Sequence, residues 1–509
     1  MKQEQVINKK ENITRDMDVE SFKKFGYKFI DWIANYISNI EKYPVLSQVS
    51  PGDIKNKLPE SIPKTPENLE SILKDIEKII LPGITHWNSP NFFAYFSNSA
   101  PFPGILGELL MAAFNTNGML WKTCPSSTEL EEVTLSWLRQ MLGLKENFFG
   151  IIYDTASISS LHAIAAARES LNLKIREEGM AGRKDLLPLR LYTSEESHSS
   201  IEKAAITLGI GQKGVRKVAV DAARQMDTKA LVNLIEEDIK EGNIPFCVIA
   251  TVGTTSTTSI DPVSQIADIC KKYKLWLHVD AAYAGVAAIV PEMKFITDGW
   301  NEADSFVVNP HKWLFTPMDL SILYTKKPEV LKRAFSLIPE YLRTEKSTAI
   351  NLMDYGIQLG RRFRALKLWI IMRSFGQEGL VNLLREHIRL AKMLAKWIDI
   401  SSDFHALPVT FSTVCFRYFP KDLKDLSKKS KDKEASIENY LNELNEAIIN
   451  SVNESGKIFM SHTKVQDRFT LRISIGNIRT EEKHIKDAWE LLKEHAKKLD
   501  AEMRKDFVF

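Results

Sequence analysis

Cysteine is scarce in this chain, and its scarcity excludes several designs. The 509 residues hold four, Cys124, Cys247, Cys270 and Cys415. None forms a Cys-x-x-Cys pair, so neither a thiolate zinc site nor a disulfide framework is expected. A reducing compartment, the cytoplasm, fits best. No two histidines stand three or four residues apart, as two ligands on one helix face would, so no metal is expected. Long apolar runs are missing: nothing approaches the roughly 18 residues of a spanning helix. Met1 to Asp16 is polar and lacks the apolar stretch of a secretory signal. Excess charge is missing as well. A net charge of +3 gives neither nucleic acid nor an anionic membrane a reason to bind. No internal repeat is found. What remains is an ordinary globular composition, 44% hydrophobic and 26% charged, on a chain too long for one core.

Asp16 and Asp18 offer N-caps to a helix in which Phe22, Phe25, Phe29, Ile33, Tyr36, Ile37 and Ile40 recur at helical spacing. Pro44, Pro51, Pro59 and Pro63 break up the next stretch, and Leu69 to Ile80 reads as a second amphipathic helix. Helices joined by proline-rich connections make a poor core alone, so this segment is expected to pack on a second subunit. His86 to Phe102 is crowded with rings: Trp87, Phe92, Phe93, Tyr95, Phe96 and Phe102, interleaved with small polar residues. A core segment with turns and the wall of a pocket for a flat ligand both fit that pattern. Helices follow at 102–114 and 127–142.

From Phe148 to Tyr324, β-rich runs alternate with helical ones. Strands are expected at 150–153, 189–193, 215–220, 246–252, 275–280, 305–309 and 320–324, with helices between. Such alternation predicts a mostly parallel α/β sheet covered on both faces, with ligands beyond the carboxyl ends of its strands. Lys326 to Gln358 has little periodicity and reads as a long exposed loop, of the kind that is usually functional or disordered. Helices are expected at 359–375 and 378–398. An α+β region follows, with strands 411–418 and 469–475, helices 437–451 and 480–503, and a solvated Lys/Asp-rich loop at 421–433.

Chemistry gathers at the strand ends. Pro310 stops the run Ser305 to Val308, and His311, Lys312 and Trp313 come next. A lysine among rings loses hydration, its pKa falls, and its amine becomes a nucleophile for imine formation; a lysine snorkelling past an aromatic neighbour looks the same locally. Asp280 ends the strand from Leu275, and a carboxylate there calls for a cation. An imine-forming amine together with a carboxylate that keeps a pyridine nitrogen protonated is what pyridoxal phosphate requires of a protein. Thr155-Ala156-Ser157 opens a helix after a strand, which suits a phosphate and equally a plain N-cap. His198 follows the next strand, where a ring can stack on a planar group.

The resemblance these residues carry is specific. His278-Val279-Asp280-Ala281-Ala282-Tyr283-Ala284-Gly285, Asn309-Pro310-His311-Lys312-Trp313 and the run Leu359 to Trp369 resemble the signature stretches of the group II pyridoxal-phosphate-dependent decarboxylases, nearest the aromatic-L-amino-acid branch that acts on DOPA, tyrosine and tryptophan. His86 to Phe96, Thr128 to Glu131, His198 to Ala204 and Ala250 to Thr255 match in order, and the similarity runs from about Val19 to Glu490. It implies the type I, aspartate-aminotransferase-like fold and a homodimer with active sites at its interface. The implied divisions are an N-terminal helical segment, 1–101, packing on the partner; a large cofactor-binding α/β domain, 102–376, with a mobile catalytic loop at about 334–356; and a small α+β domain, 377–509.

The resemblance also implies roles. Lys312 would hold pyridoxal 5'-phosphate as a Schiff base, Asp280 would pair with its ring nitrogen, and His198 would stack on its ring. Ala156, Ser157, Asn309 and His311 would hold the phosphate side, with Thr251 and Ala282 also touching the cofactor. Trp87, Tyr95, Phe96 and Asn98 would line the substrate pocket, and Asn117, Met119 and Gly360 would reach it from the partner subunit. Tyr341 would return a proton to the substrate carbon that loses carbon dioxide. A phenol passes a proton where a phenyl ring does not, so Tyr341 favours release of an amine over the aldehyde that relatives with phenylalanine there form. Asp154 and Ile158 depart from the family pattern, Asp154 bringing a negative charge toward the phosphate. Gly360 leaves room for a bulky ring, which slightly favours tryptophan or 5-hydroxytryptophan over phenylalanine, tyrosine and DOPA.

Overall fold

Asp18 starts the first helix, α1 (Val19–Ser38), by accepting the Ser21 N–H at 2.9 Å, which satisfies one of the unpaired donors of a helix start. The structure, a computed structural model, describes residues 16–337 and 349–506. Residues up to His86 form one unit and those from Trp87 another. In the first, Trp32 stacks on Tyr36 with centroids 5.5 Å apart and donates its indole N–H to Glu77 at 2.8 Å, just past α2 (Leu69–Asp75). The Tyr36 hydroxyl meets His86 Nδ1 at 2.7 Å.

The second unit opens with a two-residue strand, β1 (Phe92–Phe93), and two helices, α3 (Phe102–Phe114) and α4 (Pro125–Leu142). Its main sheet holds β2 (Phe149–Tyr153), β3 (Leu189–Ser194), β4 (Val215–Val218), β5 (Ile244–Thr251), β6 (Trp276–Asp280), β7 (Ser305–Val308) and β8 (Ser321–Thr325) in the order β2-β8-β7-β6-β5-β3-β4. These are the seven strands read from the sequence. Only β8 runs against its neighbours, β2 and β7; the rest are parallel. Alternate residues enter different cores: Ile151, Leu191, Ile249, Trp276 and Leu323 pack on one side, and Ile152, Tyr192, Val248, Leu277 and Ile322 on the other. With both faces covered, the strands are apolar throughout, and each such side chain contributes about 1.5–3 kcal/mol of burial. Helix α5 (Ala156–Glu169) follows β2 directly.

A second sheet joins β9 (Phe404–Ala406), β10 (Thr413–Tyr418), β11 (Phe459–Val465) and β12 (Arg468–Ser474) to β1 in the order β1-β11-β12-β10-β9. Helices Glu434–Glu454 and Glu482–Met503 back it through Tyr440, Leu444, Ile448 and Leu492.

Three expectations are corrected. The stretch read as an exposed loop from Lys326 contains the helix Pro328–Phe335, and Leu352, Met353 and Tyr355 are buried. Eight residues with one buried position, Leu331, are too few to show a period. The helix expected from Leu359 starts at Ala365 and runs to Ile400 with a break at Gly376, where φ is 63°. The residues before it are held out of the helix, the Arg361 carbonyl accepting the Gly118 N–H and the Arg361 N–H donating to the Asn117 side chain. Lys421–Lys429 is a helix, not a loop, because Leu423 and Leu426 one turn apart dock on the smaller core.

Candidate active site

Because β2, β3, β5, β6 and β7 all point one way, their carboxyl ends share one edge of the sheet. The register sets Thr251 beside Asp280 and Asp280 beside Val307. Beyond that edge lies a cavity of about 810 Å³. Lys312, Asp280, His198, Ala156, Ser157, Thr251, Ala282, Asn309, His311, Trp87, Tyr95, Phe96 and Asn98 all line it. Asn117, Met119 and Gly360 do not. They cluster elsewhere, Asn117 Oδ1 accepting the N–H groups of Arg361 at 3.0 Å and Met119 at 3.2 Å, with Gly360 alongside. Tyr341 lies outside the described residues.

Pro310 begins a single helical turn, Pro310–Trp313, that carries Lys312 to the cavity. Its ammonium makes no hydrogen bond and no ion pair among the described residues, and lies 5.1 Å from the centre of the Phe96 ring. Burial depresses its pKa; Asp280 opposes that shift and Arg472 adds to it. Asp280 is buried and accepts the Ala282 N–H at 3.1 Å. The sheet thus presents a deprotonation-prone amine and an under-partnered carboxylate to the same space.

The side of the cavity where a phosphate is expected is built from α5 and from the turn after β7. Ala156 and Ser157 occupy the first turn of α5, where backbone N–H groups have no partner within the helix. His311 Nδ1 accepts the Leu320 N–H at 2.9 Å, so its proton sits on Nε2. Burial, helped by the Lys312 charge, pushes its pKa down to about 3, so this ring is a neutral donor. His198 is fixed likewise, Nδ1 meeting the Ser200 N–H at 3.1 Å and hydroxyl at 2.8 Å. Desolvation first, then Lys312, lowers its pKa. The Asp154 carboxylate is turned to the Thr155 N–H (2.5 Å) and hydroxyl (3.0 Å) and to Gln358 (3.0 Å), not into the cavity. The side chains of Asn309 and Thr251 each keep a buried polar atom with no partner among the described residues. Unpaired polar groups of that kind are costly unless a ligand meets them. Helix-start N–H groups, a hydroxyl, a neutral imidazole donor, a carboxylate and an amine together fit pyridoxal phosphate.

Sequence reading missed Arg472, Tyr283 and Met318, which also line the cavity. Arg472 is buried on β12, donates to the carbonyls of Ser256 (3.1 Å) and Tyr95, and leaves Nη2 unpaired among the described residues. Its guanidinium lies 4.6 Å from the Phe96 centroid, while Tyr283 stacks on Phe96 at 3.8 Å. An arginine flanked by Leu471 and Ile473 in the buried part of a strand was the available signal, since a buried charge needs a partner.

This fold and site define a pyridoxal-phosphate enzyme of the type I class. A family model described as "Pyridoxal-dependent decarboxylase conserved domain" matches residues 51–419. The chain is 40% identical to the tyrosine decarboxylase of Papaver somniferum over 495 residues, 94% of this chain and 95% of that one. It is 40% identical to the phenylacetaldehyde synthase of a Rosa hybrid cultivar, over 95% of each. The crystal structure of Oryza sativa TDC with PLP and tryptamine superposes with a TM-score of 0.89 at 33% identity, covering 96% of this chain and 99% of that one. The chain belongs to the pyridoxal-dependent decarboxylase family, and its cofactor is pyridoxal phosphate.

Proposed function

We propose that this chain removes carbon dioxide from aromatic L-amino acids and releases the arylalkylamine, in the cytoplasm and as a homodimer. The ring wall carries the reading: Trp87, Tyr95 and Phe96 face the cavity that also holds the Lys312 amine and the Arg472 guanidinium. A flat apolar substrate meets that wall, and its carboxylate meets Arg472. Tryptophan or 5-hydroxytryptophan is slightly favoured over phenylalanine, tyrosine and DOPA. A Cβ at Gly360 would meet only the Asn117 amide, at 3.8 Å, so the glycine keeps space for a large ring.

Bound there, pyridoxal phosphate supplies an electron sink for the bond that breaks. Lys312 would hold its aldehyde carbon, and the amine, its pKa lowered by desolvation, would serve there as a base. Asp280 would keep a proton on the ring nitrogen. His198 would stack on the ring, and Ala156, Ser157, Asn309 and His311 would hold the phosphate side, with Thr251 and Ala282 also touching the cofactor. Tyr341 would return a proton to the carbon that has lost its carboxylate.

The apolar stripe on α3 supports the dimer. Phe102, Leu106, Leu109, Leu110 and Phe114 share one face of the helix and are each 43–59% exposed. Contiguous exposed rings and leucines mark a protein interface. Asn117, Met119 and Gly360, which miss their own cavity, then complete the partner's, and the 1–101 segment packs on the partner too.

Incubation with tryptophan, 5-hydroxytryptophan, tyrosine, DOPA, phenylalanine and glutamate, with amine, aldehyde, peroxide and ammonia all quantified, tests the reading. Amine without peroxide is expected. Stoichiometric peroxide and aldehyde would assign an aldehyde synthase, the activity named for the Rosa relative, and turnover of glutamate alone would remove the aromatic assignment.

A further inference from the structure

Trp313 follows Lys312 directly, and its indole is buried. It donates Nε1–H to His387 Nδ1 at 3.0 Å. His387, buried in the helix Ala365–Ile400, uses Nε2 to donate to the Asn477 carbonyl at 3.1 Å. Asn477 donates its side-chain amide to the carbonyls of Trp87 and Ser89, each at 3.0 Å. An indole nitrogen only donates, so the imidazole must keep Nδ1 bare and carry its proton on Nε2. Burial, pulling its pKa down to about 4, keeps it in that state. Trp313 is also the foot of a ring stack: Tyr283 lies 5.0 Å from it at 11°, Phe96 lies 3.8 Å from Tyr283 at 17°, and the Lys312 ammonium lies over Phe96.

We propose that His387 is a positioning residue that ties the Lys312 side of the cavity, through Trp313 and its ring stack, to the substrate wall at Trp87, through Asn477. It lines no part of the cavity itself. The proposal rests on the roles given above to Lys312 and Trp87.

The test compares His387→Leu, His387→Gln and Trp313→Phe in the full-length holoenzyme. It reads KM and kcat for the best aromatic amino acid, the pH midpoint of the visible band of the bound cofactor, and the thermal midpoint. Glutamine keeps one acceptor and one donor; leucine keeps neither. His387→Leu is expected to raise KM about fivefold, the equivalent of one lost hydrogen bond, and to move the band midpoint. His387→Gln is expected to restore both. Trp313→Phe is expected to move the band midpoint with a smaller change in KM, and together with His387→Gln it carries the test if the leucine variant does not fold. A folded His387→Leu enzyme with only its thermal midpoint lowered would overturn the proposal, as would a glutamine variant no better than leucine. If the wild type turns over no aromatic amino acid, the substrate reading fails separately, and the band midpoint still decides the role of His387.

Discussion

Asp280 ends β6, Lys312 sits in the helical turn just past the adjacent parallel strand β7, and both line one cavity, yet no ion pair within 4 Å joins them. Two opposite charges this near would ordinarily pair and satisfy each other. Held apart, the carboxylate is left to meet a cation on a ligand, and the amine is left poorly stabilised as an ammonium. Each is thereby suited to a different end of the same planar group.

Substitution should separate the two roles. Lys312→Ala is expected to abolish turnover and to retain the cofactor only weakly, since the covalent anchor is gone. Asp280→Asn keeps the anchor and removes the charge that holds a proton on the ring nitrogen. It is expected to lower kcat by about 100-fold or more while absorbance still shows bound cofactor. An Asp280→Asn enzyme with full kcat would take the carboxylate out of the chemistry.

If Arg472 meets the substrate carboxylate as proposed, the size of the effect follows from its charge. Hydrogen bonds to charged groups contribute about 1.5–3 kcal/mol, so Arg472→Met should raise KM for the amino acid by about tenfold or more. Inhibition by the product amine, which lacks the carboxylate, should change little. Arg472 also holds the Ser256 and Tyr95 carbonyls, so Arg472→Lys serves as the packing control. Equal weakening of amino acid and amine would make the residue a scaffold only.

Charging the α3 stripe should split the proposed dimer. Leu106→Glu with Leu110→Glu is expected to shift the sedimenting species from two chains to one and to remove activity with it. Complementation gives a second readout. Mixing Lys312→Ala with Gly360→Trp chains, each inactive alone, should restore about a quarter of the wild-type activity, because half the dimers are mixed and each mixed dimer has one intact site. No recovery on mixing would place Gly360 outside the shared site.

Strand-end chemistry was legible because it is local. The apolar runs of the main sheet are short and bounded, and Asp280 and Lys312 stand where such runs stop. What the sequence hid is mostly tertiary. Tyr283 reaches Phe96 across 187 residues of chain, and no local pattern announces a ring stack. Arg472 was visible as a charge between two apolar residues of a strand, but the strand's neighbour in space was not. The helix Pro328–Phe335 escaped because one buried leucine makes no period, and Lys421–Lys429 because its lysines mask Leu423 and Leu426.

Acid should unfold this protein well above the carboxylate range. His162, His278, His311 and His387 are all buried, and burial pushes their pKa values down to about 3, 4, 3 and 4. In the unfolded chain each returns to about 6.5. Between pH 6.5 and 4 the unfolded state therefore binds more protons, and stability rises with pH across that window. The contribution is complete above pH 6.5 and is lost as pH falls. Asp261 works the other way: burial raises its pKa to about 6, so its proton favours the folded state from 3.8 to 6. Burial raises the pKa values of Glu132 and Glu196 in the same sense and lowers those of His86 and His198, so the imidazoles outnumber the opposing carboxyls and win. The unfolding free energy, followed by denaturant titration from pH 7.5 to 4.5, should fall more steeply than the roughly 1.4 kcal/mol per pH unit of a single histidine. His387→Gln should flatten the slope by one proton. A flat profile across the window would mean that these histidines are protonated in the folded chain.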